Sequence, residues 1–339
     1  MITRNFLVGL LVVQSGLLAY QWWPESQSAL VAHALLDLDP GAVSELMVQT
    51  APKGDDTEAS SVHLVRDGAS WALASAAGYP AESSKVDEVL SSLLDIEVKR
   101  PIATQPSRHN QLNVGDATYG RRVKIVADDK SHELVIGSGG SNAVHVRVDG
   151  NDDVYSAPGL SEWSIGDQAR SYVESEYVQL EPDSLTTLTI HTADRPLSFE
   201  RKGSDWVLLE IPEGRQPQTS AITSLVRRAA SIRMNEPVGK ELEASFGFDG
   251  GVRVEWTEKT GDDVKAGGYV IGNIAENDGF VKSDASEFVV KVSKWSIERI
   301  RDAKLDELLL PLDDGGESSA DSPFELGALP RGAGAGGGA

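Results

Sequence analysis

The 339-residue chain contains no cysteine and only six histidines. Without a thiol it has no disulfide, no cysteine nucleophile and no thiolate metal site. His33, His63, His109, His132, His145 and His191 are scattered, with no i,i+4 pair and no carboxylate at a recognised ligand spacing. The sequence therefore offers no metal centre. Positive charge is short as well: 31 Lys+Arg face 52 Asp+Glu, a net charge of −21. A nucleic-acid surface needs basic side chains to displace counterions, so nucleic acid is excluded as a partner. The G-x-S-x-G elbow and the S-x-x-K nucleophile motif are also missing. Acids are so abundant that some pair is always available, which leaves no general acid or base to assign. The reading is of a protein that is not an enzyme and takes no cofactor.

What is there begins at the amino terminus. In MITRNFLVGLLVVQSGLLAYQWWPE an apolar run from Phe6 to Ala19, including Leu10, Leu11 and Leu17, is broken only by Gln14 and Ser15. Tyr20, Trp22 and Trp23 follow. A helix from Phe6 to Trp23 would extend roughly 27 Å, enough to cross a bilayer with its aromatic end at the interface. No A-x-A cleavage site precedes the tryptophans, which favours an uncleaved anchor at 1–23 over a removed signal peptide. Residues 1–24 carry one basic side chain, Arg4, and no acid, and the next positive charge is Lys53. The short end is expected on the cytoplasmic side, with the bulk of the chain outside a bacterial inner membrane, in the periplasm.

Beyond a juxtamembrane linker at 24–35, the chain is written twice. LDLDPGAVSELMVQT at 36–50 aligns without a gap to VQLEPDSLTTLTIHT at 178–192, and HLVRDGASWAL at 63–73 aligns to SFERKGSDWVL at 198–208. Trp71 meets Trp206, and Ile136-Gly137 meets Ile271-Gly272; these six positions read as the core of the repeat. Val86, Val89, Leu90, Leu93 and Leu94 recur at helical spacing after Ser83 or Ser84 as a cap; Ile222, Leu225, Val226, Ala229 and Ala230 do so after Thr219 or Ser220. RRVKIVAD, HELVIGS, AVHVRVD and DVYSA then read as short strands joined by Gly, Asn or Asp turns, as do GVRVEWTE, GGYVIGN, GFVKSD and EFVVKV. The expected architecture is α+β: two tandem repeats, 36–177 and 178–311, each a mainly antiparallel sheet with one packed helix and one closing helix, behind an N-terminal transmembrane helix. The closing helices are expected to hold Trp163 and Trp295. Residues 312–339, acidic and Gly-rich, read as a disordered tail.

Duplication also decides the stretch LVIGSGGSNAVHVRVDGNDDVY at 134–155. Its GSGGSN runs into a strand rather than a helix, and the second copy has GNIAEND there, so a phosphate loop is not expected. Asp149, Asn151 and Asp153 match the first ligand positions of a calcium loop, but Val154 and Leu160 stand where its glycine and bidentate acid belong. Both features read as hairpin turns. Trp71 and Trp206 read as core rings packed on the helix of their own copy; the alternative is an exposed anchor for a partner.

The DGASWAL and KGSDWVL hairpins, the capped helix, QLNVGDA and SFGFDGG before a strand, and LVIGS…VHVRV…DVYSA with YVIGN…GFVKS…EFVVKV together resemble the domain-of-unknown-function family 4340 (DUF4340), over residues 36–311 in two copies. Copy one departs from the family's Tyr-Gly-Leu-type turn with Gln111-Leu112-Asn113. The resemblance brings no catalytic residues. It implies an extracytoplasmic accessory subunit beside an ABC-2-type, gliding-motility-like transporter, with an ABC permease or another envelope protein as partner. The alternative expectation is an envelope binding module for a small glycan or lipid-like ligand in the groove between the repeats.

Overall fold

The computed structural model describes residues 32–52, 59–137, 139 and 143–311. The expected anchor residues Phe6, Leu10, Leu11, Leu17, Tyr20, Trp22 and Trp23 lie outside the described residues, as do most of the GSGGSN stretch and the tail at 312–339. Among the described residues no helix is long and apolar enough to cross a membrane.

Copy one runs β1 (His33–Ala34), β2 (Val43–Gln49), β3 (Ser61–Asp67), β4 (Ser70–Leu73), β5 (Tyr79–Ala81), α1 (Ser83–Leu94), β6 (Glu97–Val98), β7 (Arg121–Ala127), β8 (Lys130–Gly137), β9 (Ala143–Val148) and β10 (Val154–Pro158). Copy two runs β11 (Glu176–Gln179), β12 (Leu185–His191), β13 (Pro196–Lys202), β14 (Asp205–Leu208), α2 (Thr219–Ala229), β15 (Ser231–Arg233), β16 (Glu236–Gly239), β17 (Val252–Thr260), β18 (Asp263–Ala275), β19 (Asp278–Ser283), β20 (Val289–Ser293) and α3 (Lys294–Arg301). Each copy builds an eight-stranded antiparallel sheet. The first is ordered β10-β9-β8-β7-β2-β3-β4-β5, the second β14-β13-β12-β17-β18-β19-β20-β16. The seven strands from β2 to β10 that have counterparts in β12 to β20 occupy the same relative places. A two-stranded pair stands apart in each copy, β1 with β6 and β11 with β15.

Alternation explains the sheets. In β2, Val43, Leu46 and Val48 point inward and are buried, and Leu185, Leu188 and Ile190 repeat this in β12. Those inner faces receive the helices, whose apolar stripes supply Leu90 and Leu93 in α1, Ile222 and Val226 in α2. One substitution is compensated across the layer. Copy one buries Leu134 in the sheet and Leu93 on the helix; copy two has Tyr269 and Ala229 at those positions, and the fully buried Tyr269 hydroxyl donates to Ala229 O at 2.9 Å. The larger ring fills the space the smaller helix residue leaves, and its polar end is satisfied.

Three expectations need correction. The caps fall one residue earlier: Ser83 and Thr219 are the first helical residues, behind Glu82 and Gln218, neither of which caps with its side chain. The closing helix exists only in copy two. There Ile297 and Ile300, one turn apart, are buried in α3, whereas Trp163 sits in a single 3-10 turn (Glu162–Ser164) that Ser161 caps at 3.3 Å. Ile165 matches Ile297, but Gln168 stands where copy two has Ile300, so the buried pair that anchors an α-helix is missing. Finally, the segment 24–35 expected as linker contributes β1, which pairs His33 with Val98 and Ala34 with Glu97; two residues are too few to leave a periodic signal.

The copies touch through different ends. Tyr79 of β5 stacks edge-on to Phe288, just before β20, at 4.8 Å between ring centres, and Lys240 lies over the same ring at 4.9 Å. Because the two contributing positions are not equivalent, the packing is head-to-tail.

Candidate functional site

The Ile-Gly pairs sit where sheet and loop meet. Ile136 and Ile271 are fully buried on the inner faces. Gly137 and Gly272 face outward, each beneath the crossing loop of its own copy. A Cβ on Gly137 would lie 2.3 Å from Leu112 O, and one on Gly272 would lie 2.1 Å from Phe246 O, so only glycine fits. Asn113 and Gly247 hold the same place in those loops and both take left-handed backbone, with φ of 54° and 68°. Asparagine tolerates that region better than other side-chain-bearing residues, so the departure at Gln111-Leu112-Asn113 keeps the shape of the turn. Under each loop is a small outer core: Val114, Val135 and Val154 in copy one, and in copy two the ring of Phe246 packed edge-on to Phe248 and tilted against Phe280.

The apparent ligand residues are structural. Asn151 Oδ1 accepts from the Asp153 amide at 3.1 Å, closing a turn, while Asp149 faces Arg122 and Arg147 at 3.8 and 3.7 Å. Arg147, nearly buried, also donates to Val114 O at 2.8 Å and to Asp116 at 3.0 Å, tying the loop to the sheet. His109 and His145 bond the carbonyls of Asp152 and Leu112, and His63 and His191 meet Glu45 and Glu255. Among the described residues no group of three or more His, Asp or Glu side chains is placed to hold a metal.

A cleft of about 640 Å³ opens in copy one beside Arg121, with Trp163, 76% exposed, at its rim. Arg121 is committed to the fold: it donates to Ile165 O and Gly120 O, both at 3.0 Å, and reaches Asp167 at 3.4 Å. Burial, with the Asp167 charge next to it, pushes the Tyr172 hydroxyl well above its usual range, so it keeps its proton at neutral pH.

The two tryptophan sites differ more. Trp71 is 1% exposed, capped by the Arg66 guanidinium 4.5 Å from its ring centre, and its indole nitrogen is buried without an acceptor. Strand β4 beneath it is covered by β5, which pairs Ala81 with Trp71 and Tyr79 with Leu73. Arg66 in turn donates to Val43 O at 2.7 Å and Pro40 O at 3.2 Å; its counterpart Arg201 donates to Pro182 O. The frame is the same, yet in copy two Trp206 is only half-buried and a cavity of about 320 Å³ lies against it, with Leu180, Leu185, Val226 and Ala230 on one part of its wall and Glu181 and Arg227 on another. The cause is legible in the helices. Where α1 presents Leu90 and Leu94, α2 presents Val226 and, at its C-cap, Ala230. Four carbons fewer on the helix leave the ring uncovered. The signal that finds this in the sequence is residue-by-residue size matching between α1 and α2.

The covering strand is missing too. Two residues before its helix, copy one has Ala81 and copy two has Pro217. Proline has no N–H to give to Trp206, so the segment cannot repeat the β5 ladder. It bridges to Leu309 instead, and β14 is left as an edge.

These features define a tandem antiparallel-sheet protein whose second copy keeps open a site that its first copy closes. A family model described as a domain of unknown function (DUF4340) matches residues 71–250, from Trp71 in copy one to Gly250 in copy two. That stretch is more than half of the chain, and the chain belongs to this family. No curated protein and no solved structure matches it.

Proposed function

We propose that the protein is a membrane-anchored, extracytoplasmic scaffold that works by binding, as an auxiliary subunit of an ABC-2-type, gliding-motility-like transporter complex. The observation that carries this reading is the difference between the copies. One copy's edge and tryptophan are sealed by its own chain, while the other presents a half-buried tryptophan, a cavity and a free strand. Edge strands are managed surfaces, and one left beside a cavity with an apolar wall suits a polypeptide partner. The apolar run ending in Tyr20, Trp22 and Trp23 supports placement at a membrane. An anchor would confine the scaffold beside its partner, so that weak contacts suffice. The test is co-purification with an ABC permease encoded beside it, in mild detergent at native expression. A lone monodisperse protein under those conditions contradicts the reading.

A second reading, a module for a small glycan or lipid-like ligand, is favoured by the same cavity, whose 320 Å³ is at the lower end of ligand-sized pockets. That cavity belongs to copy two rather than to a groove between the copies.

A further inference from the structure

We infer that the free edge of β14 takes one extended segment of a partner polypeptide, added antiparallel to Asp205–Leu208, with an apolar side chain opposite Trp206 entering the cavity beside it. The inference rests on the reading of the protein as a polypeptide-binding scaffold and names the recognition element.

The geometry comes from copy one, where the equivalent strand already has such an occupant. Tyr79-Pro80-Ala81 lies antiparallel on Leu73-Ala72-Trp71. In copy two the Leu209 amide donates to Ser198 O at 2.9 Å, and Val207 pairs with Glu200. Ladder groups alternate in direction along a strand, so the amides and carbonyls of Trp206 and Leu208 point to the free side. Residues directly paired across an antiparallel ladder project to the same face. The residue opposite Trp206 therefore points where Trp206 points, towards α2 and the cavity. In copy one that residue is Ala81, and the helix above it buries Leu90 and Leu94. In copy two, with Val226 and Ala230 there, a larger side chain fits. The residue opposite Leu208 shares that face, and the one between faces away, as Pro80 does. The fitting partner is thus an extended segment with apolar residues at alternate positions.

The probe is a capped, fluorescently labelled peptide with the sequence of residues 77–83 carrying A81L, titrated onto the purified full chain and followed by anisotropy and by amide hydrogen exchange. The expected result is saturable binding that slows exchange at Trp206 and Leu208, lost when the peptide carries A81D instead. Binding should weaken at least tenfold in the A230L protein, whose cavity is filled by the residue copy one uses. Absence of saturable binding at about 1 mM peptide, equal binding of the A81L and A81D peptides, or unchanged binding by A230L overturns the inference. So does protection of the two amides without peptide, if dilution or removal of residues 312–339 abolishes it, since the edge is then held by a second copy or by the chain's own end. The assay needs no transporter, so its failure and a failure to co-purify with a permease are separate results.

Discussion

Replacing Ala230 with leucine puts into copy two the residue that copy one has at that point of its helix. Ala230 is 8% exposed and lines the cavity beside Trp206. Leucine adds three carbons. At roughly 0.8 kcal/mol for each buried CH₂ the gain approaches about 2.4 kcal/mol, and fixing the new side chain costs about 0.5–1 kcal/mol. The mouth of the cavity stays open to water, which removes part of the rest, so A230L is expected to stabilise by about 1 kcal/mol. The mirror change, L94A, removes the same carbons from a closed site and is expected to cost about 2–3 kcal/mol, the lower part of the range for leucine truncations. Urea unfolding of the full chain reads both, as shifts in midpoint at unchanged slope. If A230L destabilises by more than about 1 kcal/mol while L94A is neutral, α2 packs too tightly for the larger side chain. The equivalence of the two sites is then wrong.

G137A and G272A should each destabilise by about 1–3 kcal/mol through displacement of the loop carbonyl above, whereas G68A meets no neighbour and is strained only by its φ of +61°; thermal melts of the three rank them. Glu255 gives a pH signature. Hydrogen bonds from Arg253 and then His191 hold its carboxyl below the usual 4.5. A carboxyl that loses its proton more easily when folded stabilises the fold fully above about pH 5, and that contribution fades as pH falls through the lowered value. The group is largely in contact with water, so E255Q should lose a few tenths of a kcal/mol at pH 7, the range of exposed pairs, and progressively less as pH falls through the lowered value; urea midpoints followed downward from pH 7 check this, and a loss that does not change with pH would show a packing effect instead.

The elements that fill a core were legible. Repeating apolar positions in α1 and α2, the alternation in β2, β7, β12 and β17 and the two tryptophan hairpins all carry periodic signals over enough residues to be read. What escaped depends on non-periodic detail. Strand β5 is three residues with a proline, and its absence from copy two hangs on the missing N–H of Pro217. The 3-10 turn at Trp163 replaces a helix where Gln168 stands in place of Ile300. Gly137 and Gly272, read from the repeat as core, serve the opposite face, where a loop crosses within reach of a missing Cβ. The cavity at Trp206 was written in the alignment as leucine against valine and leucine against alanine, but such differences look conservative until the sheet beneath shows that nothing compensates.

Amide hydrogen exchange at four residues of the purified full chain bears most directly on the claim that the two copies share a frame and differ in one closed edge. Trp71 and Leu73, whose amides face β5 in a strand paired on both sides, should exchange only on large-scale opening, while Trp206 and Leu208 should exchange faster by orders of magnitude. Equal, strong protection at all four would mean that β14 is covered as β4 is, and the open site would not exist.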